Sequence, residues 1–87
     1  MIATKITITD EHGLHMRPAS RIVETCKKFH SAVQVCRDCK KADGCSIIEL
    51  LLLEAGNGNE LDVFVTGEDE AQASRALSGL FEHGAGI

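Results

Sequence analysis

The proline at position 18 constrains this chain more than any other residue. Proline has no backbone N–H and a fixed φ, so it suits the first turn of a helix and disrupts a helix elsewhere. Directly after it, Ala19, Ile22, Val23 and Cys26 recur at the i, i+3, i+4, i+7 spacing of one helix face. Pro18 therefore marks a helix start, and Gly13-Leu14-His15-Met16-Arg17 is presented there. A helix N-terminus carries unpaired N–H groups and the positive end of the dipole, so anions are favoured. Arg17 raises that preference for a phosphate, because a guanidinium fork matches phosphate oxygens. Histidine stays largely neutral near pH 7 and its imidazole is nucleophilic. His15 is thus a candidate phosphoryl acceptor, Arg17 its charge partner, and the N–H groups near Met16 and Arg17 further phosphate donors.

Around that helix the chain alternates strand and helix signals. Ile2, Ile6 and Ile8 alternate with Lys5, Thr7 and Thr9, a half-buried strand, and Asp10 to Gly13 form a polar connection. Phe29-His30-Ser31 closes the first helix. A strand over Ala32 to Cys36, a tight turn at Arg37-Asp38 and a second strand over Cys39 to Asp43 follow. Ser46-x-x-Glu49 has the spacing of a capping box, so a short helix starts there and ends by Gly56. Gly56-Asn57-Gly58-Asn59 is a turn cluster. Leu61, Val63 and Val65 alternate with Asp62, Phe64 and Thr66 in a fourth strand. Glu68, Asp69 and Glu70 are the acidic first turn of a last helix, with Ala73, Ala76, Leu77, Leu80 and Phe81 as its core face and Gly84 as its stop. The order β-α-β-β-α-β-α points to an α+β domain.

The second helix is more apolar than packing requires. Ile47, Ile48, Leu50, Leu51, Leu52 and Leu53 crowd its span, whereas a helix lying on a sheet needs one apolar stripe. Ile48 and Leu51, neighbours on a helix surface, are expected to stay exposed as a partner-docking patch beside His15.

A net charge of −4, with acids crowded after Glu49 and no aromatic residues among the scattered Lys and Arg, excludes a nucleic-acid-binding face. The longest apolar run, Ile47 to Leu53, is broken by Glu49 and too short to cross a bilayer. The N-terminal residues carry no export signal, so a cytoplasmic location is expected. Cys26, Cys36, Cys39 and Cys45 are then expected to be reduced and metal-free. Cys36-Arg37-Asp38-Cys39 has the spacing of half a zinc site, with Cys45 and His30 the nearest further ligands in sequence, or of a redox pair, although it falls between strand-like segments and not at a helix N-terminus. Cys26, on the apolar helix face, is a core residue. His12 is taken as a solvated loop residue, and His30 and His83 as residues of helix ends.

Gly13-Leu14-His15, Arg17-Pro18-Ala19 and the Ser46-Ile47 pair, with the length and element order, carry a family resemblance. Over essentially its whole length the chain resembles the histidine-containing phosphocarrier proteins (HPr) of the bacterial phosphoenolpyruvate-dependent phosphotransferase system. The resemblance implies a single domain over residues 1–87, an open-faced sandwich of four antiparallel strands with three helices on one face. It implies a cytoplasmic, monomeric carrier of sugar transport without cofactor or metal, which is not a stand-alone enzyme. His15 would accept phosphate from Enzyme I through Nδ1 and deliver it to Enzyme II A domains. Ser46 matches the serine that is a regulatory phosphosite in many Gram-positive phosphocarriers, which would add an HPr kinase/phosphorylase or a transcriptional regulator as partner. Met16 stands where alanine is commonest, Cys45 where a basic residue is usual, and Glu49 where a small one is common. The alternative within the resemblance is a regulatory interaction module of a nitrogen-related or catabolite-control branch.

Overall fold

In a computed structural model, which describes residues 1–8 and 13–82 and only the backbone of 81 and 82, the elements follow the expected order. They are β1 (Ile2–Thr7), α1 (Met16–Lys27), β2 (Ala32–Arg37), β3 (Lys40–Asp43), α2 (Ile47–Leu52), β4 (Glu60–Thr66) and α3 (Glu70–Glu82). Thr9, Asp10, Glu11, His12, His83 and Gly84 lie outside the described residues, as does the side chain of Phe81.

The four strands form one antiparallel sheet in the order β1-β4-β2-β3, so β1 and β3 are the outer strands. Strand alternation sorts the sheet into two faces. Ile6 opposes Leu61, Val33 opposes Val65, and Val35 lies between Val63 and Ala42, all of them buried. The three helices cover this face. Ala19, Ile22, Val23 and Cys26 of α1, Leu50 of α2, and Ala73 and Leu77 of α3 complete one core with it. With no Trp or Tyr in the chain, aliphatic side chains build that core. Each fully buried Leu or Ile stabilises the fold by roughly 1.5–3 kcal/mol before entropy is counted. The opposite face is open and carries the registered row Lys5, Asp62, Cys36 and Lys41.

The turn between β2 and β3 sits one residue later than expected. Arg37 pairs with Lys40, and Asp38-Cys39 are the two turn residues. Asp38 has φ 55°, a left-handed conformation that Asp tolerates and a long side chain such as Arg disfavours. The sheet therefore keeps Arg37 and gives up Cys39.

Candidate functional site

His15 is the N-cap residue of α1, in extended conformation at φ −100° and ψ −170°. Its carbonyl accepts the first helical bond, from Ala19 N–H at 3.0 Å, while its side chain makes no capping bond. Leu14 and Pro18 are buried on either side; His15 is half-buried, and Met16 and Arg17 are exposed. Two apolar anchors therefore hold a short arc of polar chemistry at the surface.

The electrostatics of that arc differ from those of the other helix starts. Glu49 stands in the first turn of α2 and Glu70 in that of α3, but α1 has no acidic residue there. Its N–H groups and dipole are left uncompensated by any carboxylate of the helix itself, and Arg17 adds a full positive charge. A helix start of this kind favours an anion. It is a surface site; a concavity of about 590 Å³ on the open sheet face, lined by Met1, Gln34, Cys36, Lys41 and Phe64, contains neither His15 nor Arg17.

The backbone ahead of His15 is held from a distance. Leu14 N–H donates to the Ala55 carbonyl at 2.8 Å, and Ile8 exchanges bonds with Asn59 and Gly58. Gly13 adopts φ 71°, and a Cβ there would lie 2.5 Å from the Ala55 carbonyl oxygen and 2.8 Å from Gly56 Cα. Only glycine fits both the conformation and the space. The sequence signal for this role was present as the Gly directly before Leu14-His15, but its partner, the segment after α2, was not visible locally.

The apolar surplus of α2 is placed differently from the expectation. Ile48 is 71 % exposed, as expected, and so is Leu52, at 63 %. Leu51 is half-buried and packs against the core. Residues at i+3 and i+4 both neighbour Ile48, and the way α2 rests on β3 and α1 turns Leu51 inward and Leu52 outward. With Met16, 58 % exposed on α1, the outward apolar residues are Met16, Ile48 and Leu52, on two helices packed together.

Ser46 is the N-cap of α2, and its Oγ accepts from Glu49 N–H at 3.3 Å. The box is only half closed, however. Glu49 Oε1 accepts from Asp43 N–H at 3.1 Å, while Ser46 N–H donates to the Asp43 carbonyl at 3.0 Å. The β3–α2 turn has already satisfied the Ser46 donor, so the Glu49 carboxylate reaches one turn further to the orphan at Asp43. At the other end of α2, which has no basic residue of its own, Arg37 Nη1 donates to the Leu53 carbonyl at 3.1 Å. That capping cation comes from β2, and sequence reasoning missed it.

Among the described residues no group of three or more His, Cys, Asp or Glu side chains could hold a metal ion, and no helix is long and apolar enough to cross a membrane. The family model for the PTS HPr component phosphorylation site matches residues 2–83. The chain is 36 % identical over 83 residues to the phosphocarrier protein HPr of Xylella fastidiosa strain Temecula1, covering 95 % of this chain and 93 % of that one. It is 32 % identical to the HPr of Treponema pallidum, covering 95 % and 94 %. Among solved structures, HPr from Thermoanaerobacter tengcongensis superposes with a TM-score of 0.94 at 37 % identity, over 100 % of this chain and 98 % of that one. A dimer of that HPr aligns with a TM-score of 0.79.

Proposed function

The chain belongs to the HPr family of phosphotransferase-system phosphocarriers, and from that membership we propose that it carries a phosphoryl group on His15 between Enzyme I and Enzyme II A domains. The observation that supports this reading most is the position of His15: N-cap of α1, half-exposed, at a helix start without acids. In the step, an imidazole nitrogen of His15, Nδ1 by family resemblance, forms a bond to phosphorus as the bond to Enzyme I breaks. The reverse exchange follows on the Enzyme II A domain. Phosphoryl transfer depends chiefly on positioning and charge stabilisation. Arg17 and the N–H groups of Met16 and Arg17 supply both, so the protein acts as a carrier and not as a stand-alone catalyst.

Met16, Ile48 and Leu52 form the proposed docking face for both partners, with half-buried Leu51 packed behind them. Ser46 is the proposed regulatory phosphosite, the point at which a kinase/phosphorylase or a transcriptional regulator would act. The working form is a cytoplasmic monomer, a single domain over residues 1–87. An intact His15 with Arg17 favours the carrier over a purely regulatory module.

Incubation with Enzyme I and phosphoenolpyruvate tests this. One phosphoryl group is expected per chain, acid-labile and alkali-stable as a phosphoramidate is, and absent from His15→Ala. Arg17→Glu is expected to slow transfer on the order of 100-fold, by setting a carboxylate against the phosphate. Full labelling of His15→Ala would remove the reading.

A further inference from the structure

The four cysteines are free thiols, and two of them meet. Cys26, on the last turn of α1, is 1 % exposed; Cys45, in the turn before α2, is exposed. The Cys45 side chain comes near enough to act on the Cys26 thiol. Gly44, the neighbour of Cys45, packs so tightly on the same thiol that a Cβ there would lie 3.0 Å from Cys26 Sγ and 2.7 Å from Val33 Cγ1. The turn holding Cys45 is fixed by its own bonds. Gly44 N–H donates to the Val33 carbonyl at 2.9 Å, Cys45 N–H to Asp43 Oδ1 at 2.9 Å, and Ser46 N–H to the Asp43 carbonyl at 3.0 Å. The pair is therefore set by the fold rather than by chance approach of two mobile side chains.

The other two cysteines cannot substitute. Cys36 sits in the registered row on the open face of the sheet, opposite to the face that Val35 shares with Cys26. Cys39 is in the β2–β3 turn.

We propose that Cys26 and Cys45 are a peroxide-responsive dithiol that closes to an intramolecular disulfide, joining the end of α1 to the residue in front of the α2 cap. Exposure assigns the roles. Of the pair, only Cys45 is within reach of a peroxide in solution. Its sulfur attacks one peroxide oxygen, the O–O bond breaks, and Cys45 becomes a sulfenic acid with release of water. The Cys26 sulfur then attacks the sulfenic sulfur; the S–S bond forms, the S–O bond breaks, and the Cys26 proton leaves with the hydroxide as a second water. Two thiols are oxidised by two electrons and one peroxide is reduced to two waters. A thiol reductant reverses the bond. Burial, with Cys45 and Asp43 adding to it, pushes the Cys26 thiol up to about 12, so Cys26 is a neutral thiol in the reduced chain and is not the sulfur that first meets peroxide.

The test uses the reduced full-length chain, treated with hydrogen peroxide, blocked with iodoacetamide and mapped by non-reducing peptide mass spectrometry. A linked peptide pair containing Cys26 and Cys45 is expected, with Cys36 and Cys39 still alkylated and the chain lighter by about 2 Da before blocking. Dithiothreitol should restore all four thiols. The closed loop of roughly twenty residues should raise Tm by on the order of 10 °C. Cys45→Ser should form no link, and Cys26→Ala should leave Cys45 as a sulfenic acid that dimedone traps. Three results on the wild-type chain would overturn the proposal without recourse to any variant: Cys45 oxidised to the sulfinic acid beside an intact Cys26 thiol, a Cys36–Cys39 link in its place, or a Cys45 link between two copies.

Discussion

The N–H of Leu14 and the carbonyl of Ala55 are joined at 2.8 Å, and this bond ties the residue ahead of His15 to the segment leaving α2. The two regions proposed to meet a partner, the start of α1 and the outer side of α2, are thereby linked through backbone as well as through packing.

Gly13→Ala is expected to break that link. The Cβ would fall 2.5 Å from the Ala55 carbonyl oxygen, a backbone atom that cannot swing aside, in a conformation already costly for alanine. A loss of on the order of 2 kcal/mol is expected in urea unfolding, together with slower phosphate acceptance at His15.

Ile48→Asp and Leu52→Asp should leave stability within about 0.5 kcal/mol of wild type, because both side chains face solvent. Phosphoacceptance from Enzyme I should nevertheless slow, through a higher KM rather than a lower kcat. Leu51→Ala should show the opposite pattern, costing about 1–2 kcal/mol by loss of packing with a smaller kinetic effect. Equal kinetic effects at all three positions would argue that α2 is not the docking face.

Ser46→Ala should cost about 1 kcal/mol, the worth of an N-cap side chain. Ser46→Asp keeps an acceptor for Glu49 N–H and favours the dipole, so it should unfold later than Ser46→Ala. Its negative charge beside Ile48 should still slow transfer from Enzyme I. Paired denaturation curves and a phosphotransfer time course separate the two effects.

Asp69 is expected to contribute to the acid limb of stability. It accepts from the Ser31 hydroxyl and from His30 N–H at 2.9 Å, and these bonds, Ser31 first, hold its carboxyl below the ordinary value of 3.8. A depressed folded-state value means that the unfolded chain binds the proton more tightly. The stabilisation is therefore present above the unfolded-state value near 3.8 and is lost as pH falls through the lower folded-state value. Asp69→Asn should unfold at a lower urea concentration at pH 7, and the difference from wild type should shrink below the ordinary carboxylate range.

What was legible in the sequence was local or periodic. Ala19, Ile22, Val23, Cys26, Leu61, Val63 and Val65 are all buried where spacing alone places them. His15, Arg17 and Pro18 lie within one turn, so their common position at a helix start followed from the run itself. Contacts between distant residues were not legible. The Leu14–Ala55 bond, the Arg37 cap on Leu53 and the meeting of Cys26 with Cys45 depend on how helices lie on the sheet. Leu51 and Leu52 illustrate the boundary. Local spacing makes both of them neighbours of Ile48, and only the tilt of α2 decides which one sees water.

The order β1-β4-β2-β3 leaves β3 at one margin of the sheet, with a strand neighbour on one side only. A bare margin of this kind is a template for strand addition by another chain. Here it is four residues long and begins Lys40-Lys41, both exposed. A second copy arriving margin to margin would bring its own two lysines against these, and the ladder would be too short to offset their repulsion. The brevity and charge of β3 act as a guard against aggregation, leaving the sheet open on its broad face while closing this edge to growth.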